Sequence, residues 1–67
     1  MLCCRLYEYR CCLGLSQSEL ALKLSTSQNT ISKIESGFSL PRAGLIYRML
    51  EFFHCGFYDL FYFQEAL

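Results

Sequence analysis

The sequence predicts an all-α protein, a compact bundle of five short helices that forms one domain over residues 1–67. Three observations predict this fold class. Apolar residues recur along the chain at the three- and four-residue spacings of a helix. Capping residues and glycines stand where one periodic stretch ends and the next begins. The composition, 54% hydrophobic with one Pro and four Gly, argues against disorder.

The first helix is predicted over residues 2–13. Leu2, Leu6, Tyr9 and Leu13 follow one another at spacings of four, three and four, which makes one apolar stripe. The glycine that comes next ends the helix. The rest of this helix is also rich in apolar residues and Cys, so we expect a second copy of the chain or another protein to cover it.

Two short helices joined by a tight turn are predicted next. Ser16 and Glu19 have the spacing of a capping box at the start of helix 2. Leu20 and Leu24 lie four residues apart and face inward. The hydroxyl residues 25–27 break the pattern and supply a cap for helix 3.

Helix 3, with the sequence QNTISKIE from residue 28, has two different faces. Ile31 and Ile34 point to one side, which packs against the protein. The polar residues fall on the other side, within an arc of roughly 140° at the helical period: Gln28, Asn29, Ser32 and Lys33.

The stretch over residues 16–37, SQSELALKLSTSQNTISKIESG, resembles the helix-turn-helix of the Cro/C1-type (lambda-repressor-like, XRE-type) DNA-binding family. The resemblance extends from about Leu2 to Phe61. It implies a cytoplasmic, sequence-specific transcriptional regulator, a repressor of phage, plasmid or toxin–antitoxin type. Such a protein binds double-stranded DNA as a dimer, with helix 3 in the major groove. One departure is Ser25, where the family usually has Gly because the turn requires a positive φ; Ser costs on the order of 1 kcal/mol there.

The resemblance also implies roles for individual side chains. Gln and Asn side chains suit adenine, and Lys suits guanine, in the major groove. Arg10 of helix 1 is expected to form an ion pair with Glu35 at the end of helix 3. The positions that match base contacts are Ser27, Gln28, Asn29, Ser32 and Lys33, and those that match phosphate contacts are Gln17, Ser36 and Arg42.

Helix 4 is predicted over about residues 42–54, after a loop that contains Pro41. Arg48 and Glu51 are expected to face outward. The predicted core face of this helix consists of Ile46, Met49, Leu50 and Phe53.

Helix 5 is predicted over about residues 57–64, with Leu60 and Phe61 covering the core. It carries more aromatic residues than a core helix needs. They either fold over a small core or form the homodimer contact, for which helix 1 is the other candidate. The aromatic residues that could form this contact are Phe57, Tyr58, Phe61 and Tyr62.

The charge balance keeps a second function open. Six Lys and Arg residues match six Asp and Glu residues, so the net charge is zero, whereas DNA-binding domains usually carry a basic excess. Phe38 and Leu40 also stand where members of this family often have Lys or Arg. The alternative is a protein-protein interaction module that keeps the fold but has weakened or lost DNA binding.

The five cysteines are expected to be free thiols, because their number is odd and no secretion signal precedes them. Cys4 and Cys11 on one helix would lie about 10 Å apart along its axis, too far for one zinc ion. We therefore expect no metal and no cofactor. Paired carboxylates, an oriented nucleophile and a phosphate loop are all missing from the sequence, which argues against an enzyme. No apolar run approaches the length of a membrane span.

Overall fold

The computed structural model describes residues 1–65 and contains five helices and one two-stranded sheet. The mostly helical architecture confirms the predicted fold class. The helices are α1 (Leu6–Cys12), α2 (Gln17–Lys23), α3 (Gln28–Glu35), α4 (Ala43–Phe53) and α5 (Phe57–Leu60), and the strands are β1 (Leu2–Cys4) and β2 (Phe61–Phe63).

The sheet corrects both ends of the predicted bundle. β1 and β2 are antiparallel, with Leu2 opposite Phe63 and Cys4 opposite Phe61. Helix 1 therefore does not begin at residue 2, and helix 5 does not continue past Leu60. The physical reason is that the two ends of the chain satisfy each other's backbone groups: the Arg5 N–H donates to the Leu60 carbonyl at 2.7 Å.

The core lies between the helices and the inner face of the sheet. The inward positions predicted on helices 2 and 3 are confirmed as buried, and so are Leu60 and Phe61. Leu13 was predicted on the apolar stripe of helix 1 but is 54% exposed, because α1 ends at Cys12 and the chain turns away at Gly14 with φ of 69°. The side chains that are almost fully buried are Leu6, Leu20, Leu24, Ile31, Met49, Leu60 and Phe61.

The core face of α4 is partly as predicted. Met49 is fully buried, while Ile46 is only half-buried against the core. Leu45 is buried at 7% exposure and was not predicted. Helix 4 packs its first turn, as well as its middle, against the rest of the protein.

The turn between α2 and α3 forms as the sequence predicts. The Ser16 hydroxyl accepts from the Glu19 N–H at 3.1 Å, and the Glu19 carboxylate accepts from the Ser16 N–H at 2.9 Å, which completes the capping box. Ser25 has a φ of 56°, the left-handed conformation expected at this position. Ser27 caps α3 by accepting the Thr30 N–H at 3.1 Å.

The ion pair between Arg10 and Glu35 is confirmed and ties α1 to α3. Arg10 Nε lies 2.6 Å from Glu35 Oε2, and Arg10 Nη2 lies 3.0 Å from Glu35 Oε1. The guanidinium also donates to the Leu15 carbonyl at 2.8 Å. The hydrogen bond to Glu35 raises the pKa of Arg10, so the guanidinium stays charged. Both side chains are largely buried, and removing one partner of such a pair costs about 3 kcal/mol.

Candidate nucleic-acid interface

The outer face of α3 is an exposed polar strip. Ile31 and Ile34 anchor the opposite face in the core at 0% and 4% exposure. That burial fixes the rotation of the helix about its axis, so the polar side chains must point away from the protein. Those polar side chains, all exposed, are Gln28, Asn29, Ser32 and Lys33.

Ser27 lies at the N-terminal end of this strip. Its hydroxyl accepts the Thr30 N–H and lies 2.8 Å from the Thr30 Oγ1, to which it is also hydrogen-bonded. The side chain is exposed but is held in place by these two contacts. Its expected contact with a base remains a prediction, and its capping role is already visible.

The three residues predicted to contact phosphate differ in the hydrogen bonds that their side chains already make. The Gln17 amide donates one N–H to Glu35 Oε1 at 3.0 Å, which leaves its second N–H for another acceptor. The Ser36 hydroxyl donates to the Lys33 carbonyl at 3.1 Å, so it would have to rotate before it could donate to a phosphate. Arg42 is exposed, and its side chain makes no hydrogen bond within residues 1–65.

A cationic groove lies beside the strip, between α3 and the start of α4. Its volume is about 700 Å³. Three cations line it, and no carboxylate is among its lining residues. The neutral net charge of the chain therefore does not apply to this side of the protein. The polar residues of the groove are Thr26, Thr30, Lys33, Ser39, Arg42 and Arg48.

Arg48 is the one cation of this groove that the sequence did not predict as a site residue. It was expected simply to face outward, but its Nε donates to the Leu24 carbonyl at the end of α2, at 2.9 Å. Its remaining nitrogens are available to the groove. Arg48 Nη1 lies close to Gly44, which also lines the groove. No spacing in the sequence indicates this contact, because it depends on how α4 crosses α2.

Half of the acidic side chains are engaged in local structure. Glu35 is paired with Arg10, Glu19 belongs to the α2 capping box, and Asp59 accepts the Gly56 N–H at 2.8 Å at the start of α5. Three of the six acidic residues thus serve local structure away from the outer face of α3. The local excess of positive charge beside α3 follows from this arrangement.

Within residues 1–65, no three His, Cys, Asp or Glu side chains come close enough together to hold a metal ion. None of the helices in that part of the chain has the length and apolarity needed to cross a membrane.

A short helix with an anchored apolar face, an exposed polar face and a capped tight turn to the preceding helix defines a helix-turn-helix protein. The chain belongs to the helix-turn-helix family: the family model described as "Helix-turn-helix" matches residues 6–60. This finding confirms the resemblance drawn from residues 16–37, and DNA binding and transcription regulation are the work of this family.

Two archaeal proteins are similar to the chain over most of its length. One is an uncharacterized HTH-type transcriptional regulator of Archaeoglobus fulgidus, 34% identical over 61 residues, which cover 91% of this chain and 87% of the relative. The other is an uncharacterized HTH-type transcriptional regulator of Methanocaldococcus jannaschii, also 34% identical over 61 residues, which cover 91% of this chain and 92% of the relative. Both relatives are therefore about as short as this chain.

Proposed function

We propose that this protein is a cytoplasmic transcriptional repressor that binds the major groove of its operator through α3, as a homodimer. The observation that carries the proposal is the exposed polar strip on α3, anchored by two buried isoleucines and bordered by a groove with three cations and no carboxylate. A helix of this size fits the major groove, where base edges can be distinguished. Occupying the operator would block the transcription machinery.

The roles within α3 follow from side-chain chemistry. Gln28 and Asn29 each carry one donor and one acceptor in the first turn, which match N6 and N7 of adenine. Lys33 lies one turn later and can donate to O6 and N7 of guanine. Ser27 and Ser32 can donate or accept at the edges of the strip.

The roles around α3 are electrostatic. Arg42 and the free N–H of Gln17 would contact the phosphates on either side of the major groove, and Ser36 would do so after its hydroxyl rotates. These contacts carry no sequence information but fix the position of α3 on the duplex.

The second candidate function is a protein-protein interaction module with weakened or lost DNA binding. The zero net charge and the exposed apolar side chains of Phe38 and Leu40, 86% and 51% exposed, favour it. A repressor has to select a sequence, whereas a module of this kind does not, and this difference decides between the two.

The test is selection of duplexes from a random pool, followed by binding measurements with the selected and a scrambled duplex. We expect a clear preference for the selected duplex at low salt. Gln28→Ala should lose about 1–3 kcal/mol of that preference at one base position per half-site. Tyr58→Ser, on the exposed surface of α5, is the control and should keep it. If no sequence is enriched, the interaction module is the better account.

A further inference from the structure

We propose that two copies of this protein pair through the free edge of β1, forming a continuous four-stranded sheet in the order β2-β1-β1-β2 about a two-fold axis. The inference rests on the dimer of the proposed function and specifies the surface that forms it. It differs from the two surfaces expected from the sequence, the aromatic helix 5 and helix 1.

The expected C-terminal surface does not exist as predicted. Phe61 is 1% exposed and stacks on Phe57 with ring centroids 4.6 Å apart, so it belongs to the core of its own chain. Phe61 and Tyr62 lie in β2 and not in a helix. The one-turn helix α5 leaves only Tyr58 largely exposed, at 77%, which is too little for a dimer contact.

β1 has an unpaired edge. Met1 and Gln64 exchange backbone hydrogen bonds of 2.9 and 2.8 Å, and Arg5 donates to Leu60. Because hydrogen-bonded and non-hydrogen-bonded pairs alternate along an antiparallel ladder, the N–H and C=O groups of Leu2 and Cys4 point away from β2. These four groups have no hydrogen-bond partner within residues 1–65. Such an edge is a template for a strand from another chain.

The edge is self-complementary. If two copies of β1 run antiparallel about an axis at Cys3, Leu2 of one copy faces Cys4 of the other, and each such pair exchanges two hydrogen bonds. The outer edge of β2 cannot form the same arrangement around Tyr62, because the Phe61 N–H already donates to the Phe57 carbonyl. Only the β1 edge therefore offers two complete residues to a symmetric partner.

The surroundings of the β1 edge suit a neutral, apolar strand. A groove of about 530 Å³ separates β1 from the chain that follows α3. It has two charged lining groups: Glu35, which is paired with Arg10, and the N-terminal ammonium of Met1, which donates to the Gln64 carbonyl at 2.9 Å. β1 itself, with the sequence Leu-Cys-Cys, carries no charge and so matches this groove.

Exposed apolar side chains gather around the same edge. Their combined area is on the order of several hundred Å², comparable to what one partner contributes to a small interface. A patch of this size on a soluble protein marks an interaction surface. It consists of Met1, Phe38, Leu40 and Tyr62, which line this groove and are exposed at 85%, 86%, 51% and 36%.

Disulfide trapping tests the pairing directly. In the proposed register the two Cys3 residues face each other as a non-hydrogen-bonded pair, with Cα atoms about 4.5 Å apart, within the range that a disulfide spans. The protein that keeps only Cys3 (Cys4→Ala, Cys11→Ser, Cys12→Ser, Cys55→Ala) is oxidised with copper–phenanthroline in air, without DNA. Each pair of thiols gives up two protons and two electrons to oxygen.

We expect a covalent dimer that reductant reverses, formed roughly tenfold faster than with the matched protein that keeps only the exposed Cys11, because pairing raises the local thiol concentration. Equal rates for the two proteins would overturn the proposal.

Sedimentation of the otherwise unchanged protein, again without DNA, supplies an independent test. Phe38→Asp places a charge in the groove wall and should weaken the dimer roughly tenfold or more. Tyr58→Asp, at a similarly exposed aromatic residue outside the patch, should not. A protein that is monomeric at every concentration, or a dimer unaffected by Phe38→Asp, would also overturn the proposal.

The two proposals can fail separately. A protein that selects a DNA sequence but fails these two tests keeps the repressor function and loses the β1 interface. A protein that pairs through Cys3 but enriches no sequence keeps the interface and loses the repressor function.

Discussion

Ser25 shows how one residue stores strain in the turn before α3. Its φ of 56° is a left-handed conformation that an L side chain adopts at a cost on the order of 1 kcal/mol. The turn is closed around it by the Thr26 N–H, which donates to the Ala21 carbonyl at 2.9 Å. The backbone is therefore held in place by its neighbours and not by the preference of Ser25 itself.

Ser25→Gly should stabilise the protein by about 0.5–1 kcal/mol, since relief of the strain exceeds the entropy that Gly adds to the unfolded chain. Thermal unfolding should then shift upward by roughly 3–6 °C. The same change at Ser36, whose φ of −82° is right-handed, is the control and should lower the unfolding temperature. A Ser25→Gly protein that melts below the wild type would show that the turn carries no strain.

Residue-scale predictions succeed where the periodicity of one helix or the family resemblance decides them. The polar strip of α3 follows from helical periodicity alone, and the Arg10–Glu35 pair follows from the resemblance. Arg48 could not be predicted in this way, because its partner is a backbone carbonyl at the end of another helix. A main-chain acceptor leaves no signature in the sequence.

At the scale of the element, side chains at the helix ends determine where the helices begin. α2 begins with a complete capping box, and the hydrogen bond from the Ser16 N–H is the main reason that the pKa of Glu19 lies below its ordinary value of 4.5. A depressed pKa means that the folded protein stabilises the carboxylate. That contribution is present above the unfolded pKa and is lost as the pH falls through the folded one.

Glu19→Gln keeps an acceptor for the Ser16 N–H but removes the charge. We expect the variant to be less stable than the wild type near pH 7, and the difference to disappear as the pH falls below about 4.5 through the lower folded pKa. The urea unfolding midpoints of the variant and the wild type, measured from pH 7 down through this pH range, test the prediction. Glu8→Gln, at an exposed carboxylate that accepts no hydrogen bond within residues 1–65, is the control. If the difference in stability between Glu19→Gln and the wild type stayed constant with pH, the charge of Glu19 would not be what stabilises the capping box.

The two strands are the elements that the sequence could not reveal. Three residues are too few to show alternation, and Leu2 also fits the helical stripe that continues to Leu6 and Tyr9. What makes β1 a strand is its pairing with β2, about sixty residues away along the chain. Local patterns predict helices because helical hydrogen bonds are local; the sheet depends on contacts that only the folded chain provides.

At the scale of the whole molecule, zero net charge hides an uneven distribution. Lys33, Arg42 and Arg48 line one groove beside α3, while Glu19, Glu35 and Asp59 serve caps and an ion pair elsewhere. Net charge and cation count are visible in the sequence, but this separation is not. Phosphate binding depends on the local distribution, so the chain can be neutral and still attract DNA.

The salt dependence of binding to the selected duplex tests this distribution. Two groove cations per subunit, Arg42 and Arg48, would give a dimer a slope of log K against log salt of about −4, at about −0.9 per neutralised phosphate. Arg42→Gln should reduce the magnitude of that slope by about 2 and weaken binding to every duplex alike, because the proposed contact of Arg42 is with phosphate and not with bases. Lys23→Gln, which removes a cation from a groove shared with Glu51, should leave the slope nearly unchanged. If Arg42→Gln and Lys23→Gln behave alike, the cationic groove does not face the DNA backbone, and a different surface must hold the phosphates.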